Sequence, residues 1–245
     1  MCIQCEYREP SLSRRNFLNL SALGLGAVTA GLASNVFAAG GPPPKPENVL
    51  SPAAALERLV QGNKRYVKST VTRNGFGTSQ AALAQGQNPY ACILGCADSR
   101  VSPELLFDEH QGDLFVTRVA GNFVTHEILA SLEYGTTVLN ASIVMVLGHT
   151  SCGAVSAAIK AVENEEDLPG HIQTLASALS SAVTTAKNNN PKDLADYVTR
   201  QNVRNNVQLL RQATPLLSKR VRDSQLRVVG GLYDINTGRV ELIET

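Results

Sequence analysis

The stretch Ser142-Ile143-Val144-Met145-Val146-Leu147 constrains the fold of this chain more than any other. It is apolar nearly throughout, so it cannot offer one wet face and one dry face as a strand of an open antiparallel sheet does. It reads as a strand buried on both faces, the pattern of a parallel sheet covered by helices on each side. Three more short runs have strand character: Tyr90 to Leu94, Leu114 to Val119 and Leu226 to Tyr233. Helical patterns lie between them, from Pro103 to Glu109, Thr125 to Leu139 and Gly153 to Val162. This alternation predicts an α/β fold, a central and mostly parallel β-sheet flanked by α-helices.

The rest of the chain fits around that sheet. Ser51-Pro52 is a helix start, with Ser as N-cap and Pro in the first turn; Leu56, Leu59, Val60, Tyr66 and Val67 then recur at helical spacing. Gly75 to Gly86 reads as a loop plus a short helical piece. Leu168 to Leu217 is helical and is broken into two helices at Asn188-Asn189-Asn190-Pro191. Asn236-Thr237-Gly238, between Leu232–Ile235 and Arg239–Ile243, predicts a closing hairpin.

The N-terminus is of another kind. Ser13-Arg14-Arg15-Asn16-Phe17-Leu18 reads as a twin-arginine export signal, followed by a Gly- and Ala-rich apolar stretch and small residues suited to cleavage after Ala38 or Ala39. The expected organisation is a leader over 1–39, a Pro/Gly-rich linker over 40–50 and a single domain over 51–245. The expected destination is the periplasm or thylakoid lumen. Cys2 and Cys5 would leave with the leader.

Charge and cysteine usage exclude other classes. A net charge of +1 leaves no broad basic surface, so no nucleic-acid partner is expected. Neither glycine-rich phosphate loop is present. Five cysteines make a poor disulfide framework, and metal binding or buried thiols account better for Cys92, Cys96 and Cys152.

Parallel strands deliver their C-terminal ends to one sheet edge, where ligands sit. Gly95-Cys96-Ala97-Asp98-Ser99-Arg100 follows the first strand, and Gly148-His149-Thr150-Ser151-Cys152-Gly153 follows the apolar third. His149 and Cys152, as H-x-x-C, can present two ligands from one turn, with Cys96 as a third. Thiolates with imidazole favour zinc over magnesium or calcium. Three protein ligands leave a position open, the mark of a catalytic site. Cys152 also stands at a helix start, where backbone N–H groups favour thiolate. Asp98 could bind the metal or accept a proton from water on it, with Arg100 fixing its orientation. At this level plainer readings stand beside these: an ordinary surface ion pair for Asp98 and Arg100, and a Cys96–Cys152 disulfide. Cys92 reads as a small buried hydrophobe. His110, His126 and His171 read as ordinary core or surface groups.

The two segments resemble the signature segments of the β-class carbonic anhydrases. The likeness continues through Leu59 to Tyr66, Asp113 to Arg118 and Ser131 to Gly135, and spans roughly residues 50–245. The resemblance implies one zinc ion per chain on Cys96, His149 and Cys152. It implies an Asp98–Arg100 pair in an open state and Asp98 as a fourth zinc ligand in a closed one. Gln87, Phe115 and Tyr134 match the pocket residues of the plant-type, open-site branch. The other branch places a Trp three residues before the first Cys ligand; here that residue is Ile93, and the chain has no Trp. The implied assembly is a homodimer, or a higher oligomer built on it, with Phe115 and Tyr134 reaching the site from the partner subunit. The implied reaction is reversible hydration of CO2 to bicarbonate and a proton by hydroxide on zinc, with Gln87 donating to the developing bicarbonate oxygen. A zinc hydrolase of carbonyl sulfide or carbon disulfide would share these ligands and differ in its access tunnel. A silent scaffold relative would have lost a ligand or the Asp–Arg pair.

Overall fold

The computed structural model describes residues 48–71, 80–164 and 167–243, all within the second of two units, Gly40–Thr245. The leader and most of the linker lie outside the described residues. Helix α1, Pro52–Val67, begins as expected: Ser51 Oγ accepts from Ala54 N at 3.3 Å. The helical piece anticipated after Gly75 is α2, Gln80–Leu83; residues 72–79 lie outside the description.

Five strands form one sheet: β1 Ala91–Gly95, β2 Leu114–Arg118, β3 Ile143–His149, β4 Arg227–Tyr233 and β5 Val240–Ile243. Their order is β2-β1-β3-β4-β5. The first four are parallel, and β5 closes a hairpin antiparallel to β4. Every residue of β1 and β3 is buried, as double-sided cover requires.

Alternate side chains meet different layers, because successive strand residues point to opposite faces. On one face, Ile93, Met145 and Val229 pack with Ala55 and Leu59 of α1 and with Leu106 of α3, Pro103–Leu106. On the other, Cys92, Leu94, Val144 and Val146 pack with Leu132 of α4, His126–Thr137. That face is completed by Val203, Val207 and Leu210 of α7, Leu194–Gln212, and by Leu217 of α8, Leu216–Arg222. A third cluster joins α5, Gly153–Asn164, and α6, Ile172–Asn189, to Val198 of α7; Cys96 and Cys152 belong to it.

Most boundaries fall within two residues of the sequence reading, and three larger differences have a local cause. Helix α3 stops at Leu106 rather than Glu109, because Asp108 turns into the left-handed region (φ 49°) and gives its carboxylate to Arg65 at 2.6 Å. Helix α6 starts at Ile172, since the Leu168 N–H is taken by Gln173 Oε1. The long C-terminal helical region contains a second break at Ala213, whose extended ψ of 109° two residues before Pro215 leaves α8 as a separate third helix.

A buried ionic cluster ties α1 to the N-terminal end of the sheet. Arg58 donates to both oxygens of Glu109 (3.1 and 2.6 Å), lies 3.1 Å from Asp113 Oδ2, and stacks 4.3 Å above the Tyr90 ring. The Tyr90 hydroxyl donates to Glu109 Oε1 at 2.7 Å. Burial pushes the Glu109 carboxyl up from its ordinary value, against the lowering influence of Arg58 and Tyr90.

Candidate metal centre

The centre is a product of strand register. Strands β1 and β3 are neighbours, with Gly95 opposite Leu147. Cys96 therefore leaves β1 at the level where β3 ends in Gly148 and His149. The turn after β3 then brings back Cys152 ahead of α5. The ligand atoms of Cys96, His149 and Cys152 all lie within 4.8 Å of one another, and the two Sγ atoms are 4.0 Å apart. All three residues are buried, His149 completely.

His149 provides the test of fit for a metal. Its Nδ1 is 2.9 Å from Thr150 O. A carbonyl can only accept, so Nδ1 carries the proton and Nε2 presents a lone pair. That Nε2 is buried and has no hydrogen-bond partner. A buried acceptor without a partner is costly; facing two thiols it is a ligand set for a soft, imidazole-binding cation. A carbonyl on the far ring nitrogen is the usual support of a metal-bound histidine.

The thiols have their own donors. The Cys96 sulfur accepts from Gly121 N at 3.3 Å. The Cys96 thiol is pushed down, first by the hydrogen bond it shares with Cys152 and then by backbone N–H groups, that of Gly121 among them, against its burial. Cys152 is pushed up by the bond it shares with Cys96 and by its burial, although the Val155 and Ala154 N–H groups at the start of α5 pull the other way. Cys92 is a different kind of thiol: fully buried in the apolar layer, it is raised to about 12 by desolvation.

Asp98 and Arg100 stand at the rim. Arg100 Nε reaches Oδ1 at 2.9 Å, Nη2 reaches Oδ2 at 2.7 Å, and the Arg100 backbone N–H adds a third bond to Oδ1. Together these hold the Asp98 carboxyl well below the usual carboxylate range, the side-chain bonds of Arg100 contributing most. Arg100 Nη2 also donates to Ser151 O at 3.1 Å, which joins the two signature segments. Asp98 Oδ2 lies 3.9 Å from His149 Nε2.

Two contributors carried no role in the sequence reading. Arg118, at the end of β2, donates to Cys96 O at 2.8 Å and to Asp98 O at 2.6 Å, and so clamps the ligand loop. Its place at the C-terminal end of a strand was the available signal. Gly121, the donor to Cys96, had none.

Gln87, Phe115 and Tyr134 are placed elsewhere within one chain. Gln87 is exposed in the segment leading into β1, on the N-terminal side of the sheet. Phe115 pairs in register with Cys92, three residues short of Gly95 and therefore about 10 Å back along the strand. Tyr134 on α4 is 46% exposed and rests against Phe115, ring centroids 6.1 Å apart. His126 and His171 are exposed and His110 is half-buried, as ordinary histidines are.

Comparison with known proteins gives a concordant result. Residues 91–240 match the family profile described as carbonic anhydrase. Carbonic anhydrase 2 of Mycobacterium tuberculosis is 37% identical over 194 residues, covering 78% of this chain and 93% of the relative. The structure of a Coccomyxa β-carbonic anhydrase in complex with acetazolamide is 28% identical, with a TM-score of 0.60 over 77% of this chain and 86% of that one. One of two tetrameric β-carbonic anhydrases from Sordaria macrospora shares the fold at 22% identity, with a TM-score of 0.63 over 79% of this chain and 95% of that one.

Proposed function

This chain belongs to the carbonic anhydrase family, in its β class, and from that premise we propose that it holds one zinc ion on Cys96, His149 and Cys152 and catalyses the reversible hydration of carbon dioxide to bicarbonate and a proton. The observation that carries the proposal is the orphaned, fully buried Nε2 of His149 beside two thiol sulfurs. A zinc ion with three protein ligands supplies Lewis acidity and makes water a competent nucleophile near neutral pH.

The chain's own residues supply the rest. Asp98, kept ionised and oriented by Arg100, is the acceptor that orients the nucleophilic water through its proton. While both its oxygens are engaged by Arg100 it is held off the metal, which favours the open-site branch; Asp98 as a fourth ligand requires that pair to break. Arg118 holds the Cys96–Asp98 backbone in place while this happens. Gln87 is the donor to the developing bicarbonate oxygen, and Phe115 and Tyr134 wall the apolar pocket for CO2.

Those last three residues lie away from the ligands within one chain, so the working unit is a homodimer in which a second copy brings them to the site. The half-exposed Tyr134 resting against Phe115 supports that reading. The twin-arginine leader and delivery to the periplasm or thylakoid lumen complete the proposal on sequence grounds.

Metal analysis joined to stopped-flow CO2 hydration, with and without chelator, tests the function. The expected result is about one zinc per chain and activity lost on chelation and regained with zinc. A fully active, metal-free protein would overturn it.

A further inference from the structure

Two thiolates place more negative charge on a metal than neutral imidazoles do, and so blunt its acidity. A hydrogen bond to a ligand sulfur withdraws part of that charge, and such outer contacts tune a metal as well as orient its ligands. The Gly121 N–H at 3.3 Å from Cys96 Sγ is a bond of this kind. Nothing in the sequence of the loop explains why it points there. The explanation lies on helix α7.

We infer that Asn202 and Asn206 of α7 are positioning residues for the metal centre, holding the 121–124 loop so that the Gly121 N–H donates to the Cys96 sulfur. Asn202 Nδ2 donates to Gly121 O at 2.8 Å, and Asn206 Oδ1 accepts from Val124 N at 2.8 Å. The two amides are joined: Asn206 Nδ2 donates to Asn202 O at 2.8 Å and to Asn202 Oδ1 at 2.9 Å. Both side chains are buried, in a helix face shared with Val198, Thr199, Val203, Val207 and Leu210.

The polarity of this relay has one solution. Val124 N–H is a donor, so Asn206 must present its oxygen there. Its NH2 then faces Asn202, which must answer with its oxygen. That leaves the Asn202 NH2 for the Gly121 carbonyl, which can only accept. Each amide therefore fixes the orientation of the next, and the last fixes the loop.

Gly121 sits at φ +89°, a region that side chains avoid, and a Cβ there would also stand 3.1 Å from Leu179 Cδ1. The conformation that aims its N–H at Cys96 therefore needs glycine at this position, and among the many conformations a glycine can adopt the bonds from α7 to Gly121 O and Val124 N select this one. The same face of α7 also backs the other half of the site. At Gly148, beside His149, a Cβ would lie 2.8 Å from Val203 Cγ2 and 3.2 Å from Thr199 Cγ2. One helix face therefore supports the approach to both His149 and Cys96.

The inference rests on the zinc reading above, and its test separates the two. Cobalt(II) in place of zinc gives thiolate-to-metal absorption that reports the charge on the sulfurs. Asn202→Asp keeps the shape but sets an oxygen against Gly121 O. Asn206→Asp removes the donor that orients Asn202. Both are expected to shift the thiolate band and to weaken zinc, in competition with a chelator, by on the order of 10–100-fold. Asn205→Asp, one position along, whose amide oxygen accepts from Gln201 rather than from the 121–124 loop, makes the same charge change and is expected to do neither. Should the Asp variants fail to fold, wild-type protein loaded with cadmium-113 still decides: the Gly121 amide proton is expected to couple to the metal across its hydrogen bond. Wild-type protein that takes up no metal overturns the zinc reading. Metal uptake with no Gly121 coupling, or with Asn202→Asp and Asn205→Asp alike in band and affinity, overturns the positioning role and leaves the zinc reading intact.

Discussion

Arg100 grips Asp98 by both carboxylate oxygens, Nε to Oδ1 at 2.9 Å and Nη2 to Oδ2 at 2.7 Å, while the same guanidinium reaches across to Ser151 O. The pair is a fork on a carboxylate, not a point charge beside one, so it sets direction as well as charge. Arg100→Lys keeps the charge and loses the fork. It is expected to retain its metal and to lose CO2 hydration by about 10–100-fold, the usual scale for a supporting contact at a metal site. Asp98→Asn removes the acceptor itself and is expected to cost about 10²–10⁴-fold, again with metal retained. Rates within twofold of wild type for Asp98→Asn would remove it from the mechanism.

The three buried cysteines divide into two kinds, and serine substitution separates them. Cys152→Ser deletes a soft ligand that stands 4.0 Å from Cys96, and zinc content is expected to fall close to zero after dialysis. Cys92→Ser places a hydroxyl in the apolar layer with Leu94, Leu132 and Val144. It is expected to keep its zinc and lose about 1–3 kcal/mol of stability in urea unfolding. Equal zinc loss in both variants would contradict the assignment.

What the sequence disclosed follows from how local each signal is. The apolar run 142–147 announced β3 because burial on both faces leaves no room for polar side chains. The ligands were legible because each sits at a strand end or helix start, where sequence neighbours carry the meaning. Asp98 and Arg100 were legible because two residues of separation suffice for their contact. The supports were not. Arg118, Asn202 and Asn206 act through bonds to backbone atoms of residues 4 to 82 positions away, and Gly121 acts through its own backbone N–H. A backbone carbonyl looks the same in every residue, so nothing in the sequence marks it as a partner. The break before α8 was missed for a different reason. Pro215 was visible, but the helical pattern continues on both sides of it, and the backbone turned at Ala213.

Tyr134 tests the assembly. An aromatic side chain 46% exposed, resting on the half-buried Phe115, is the kind of anchor that dominates an interface when covered. Tyr134→Ala is expected to weaken self-association by tenfold or more in sedimentation velocity. Specific activity should then fall on dilution more steeply than in wild type, because in the proposed dimer each site draws residues from its neighbour. Unchanged sedimentation would place the interface elsewhere.

Glu109 gives the fold a pH dependence whose sign can be worked out. Its carboxyl lies above its ordinary value of 4.5, burial outweighing the pull of Arg58 and Tyr90, with Asp113 adding to the rise. The folded chain therefore binds the Glu109 proton more tightly than the unfolded chain does. A group raised in this way contributes stability that is fully present below the unfolded value and is lost as pH rises through the folded one. Glu109→Gln cannot titrate, so it serves as the reference. The stability of wild type relative to Glu109→Gln, from urea unfolding at about pH 5 and about pH 8, is expected to fall as pH rises. A relative stability that instead grew with pH would mean that pairing with Arg58 outweighs the burial of the charge, and that the cluster holding α1 to the sheet works chiefly as an ion pair.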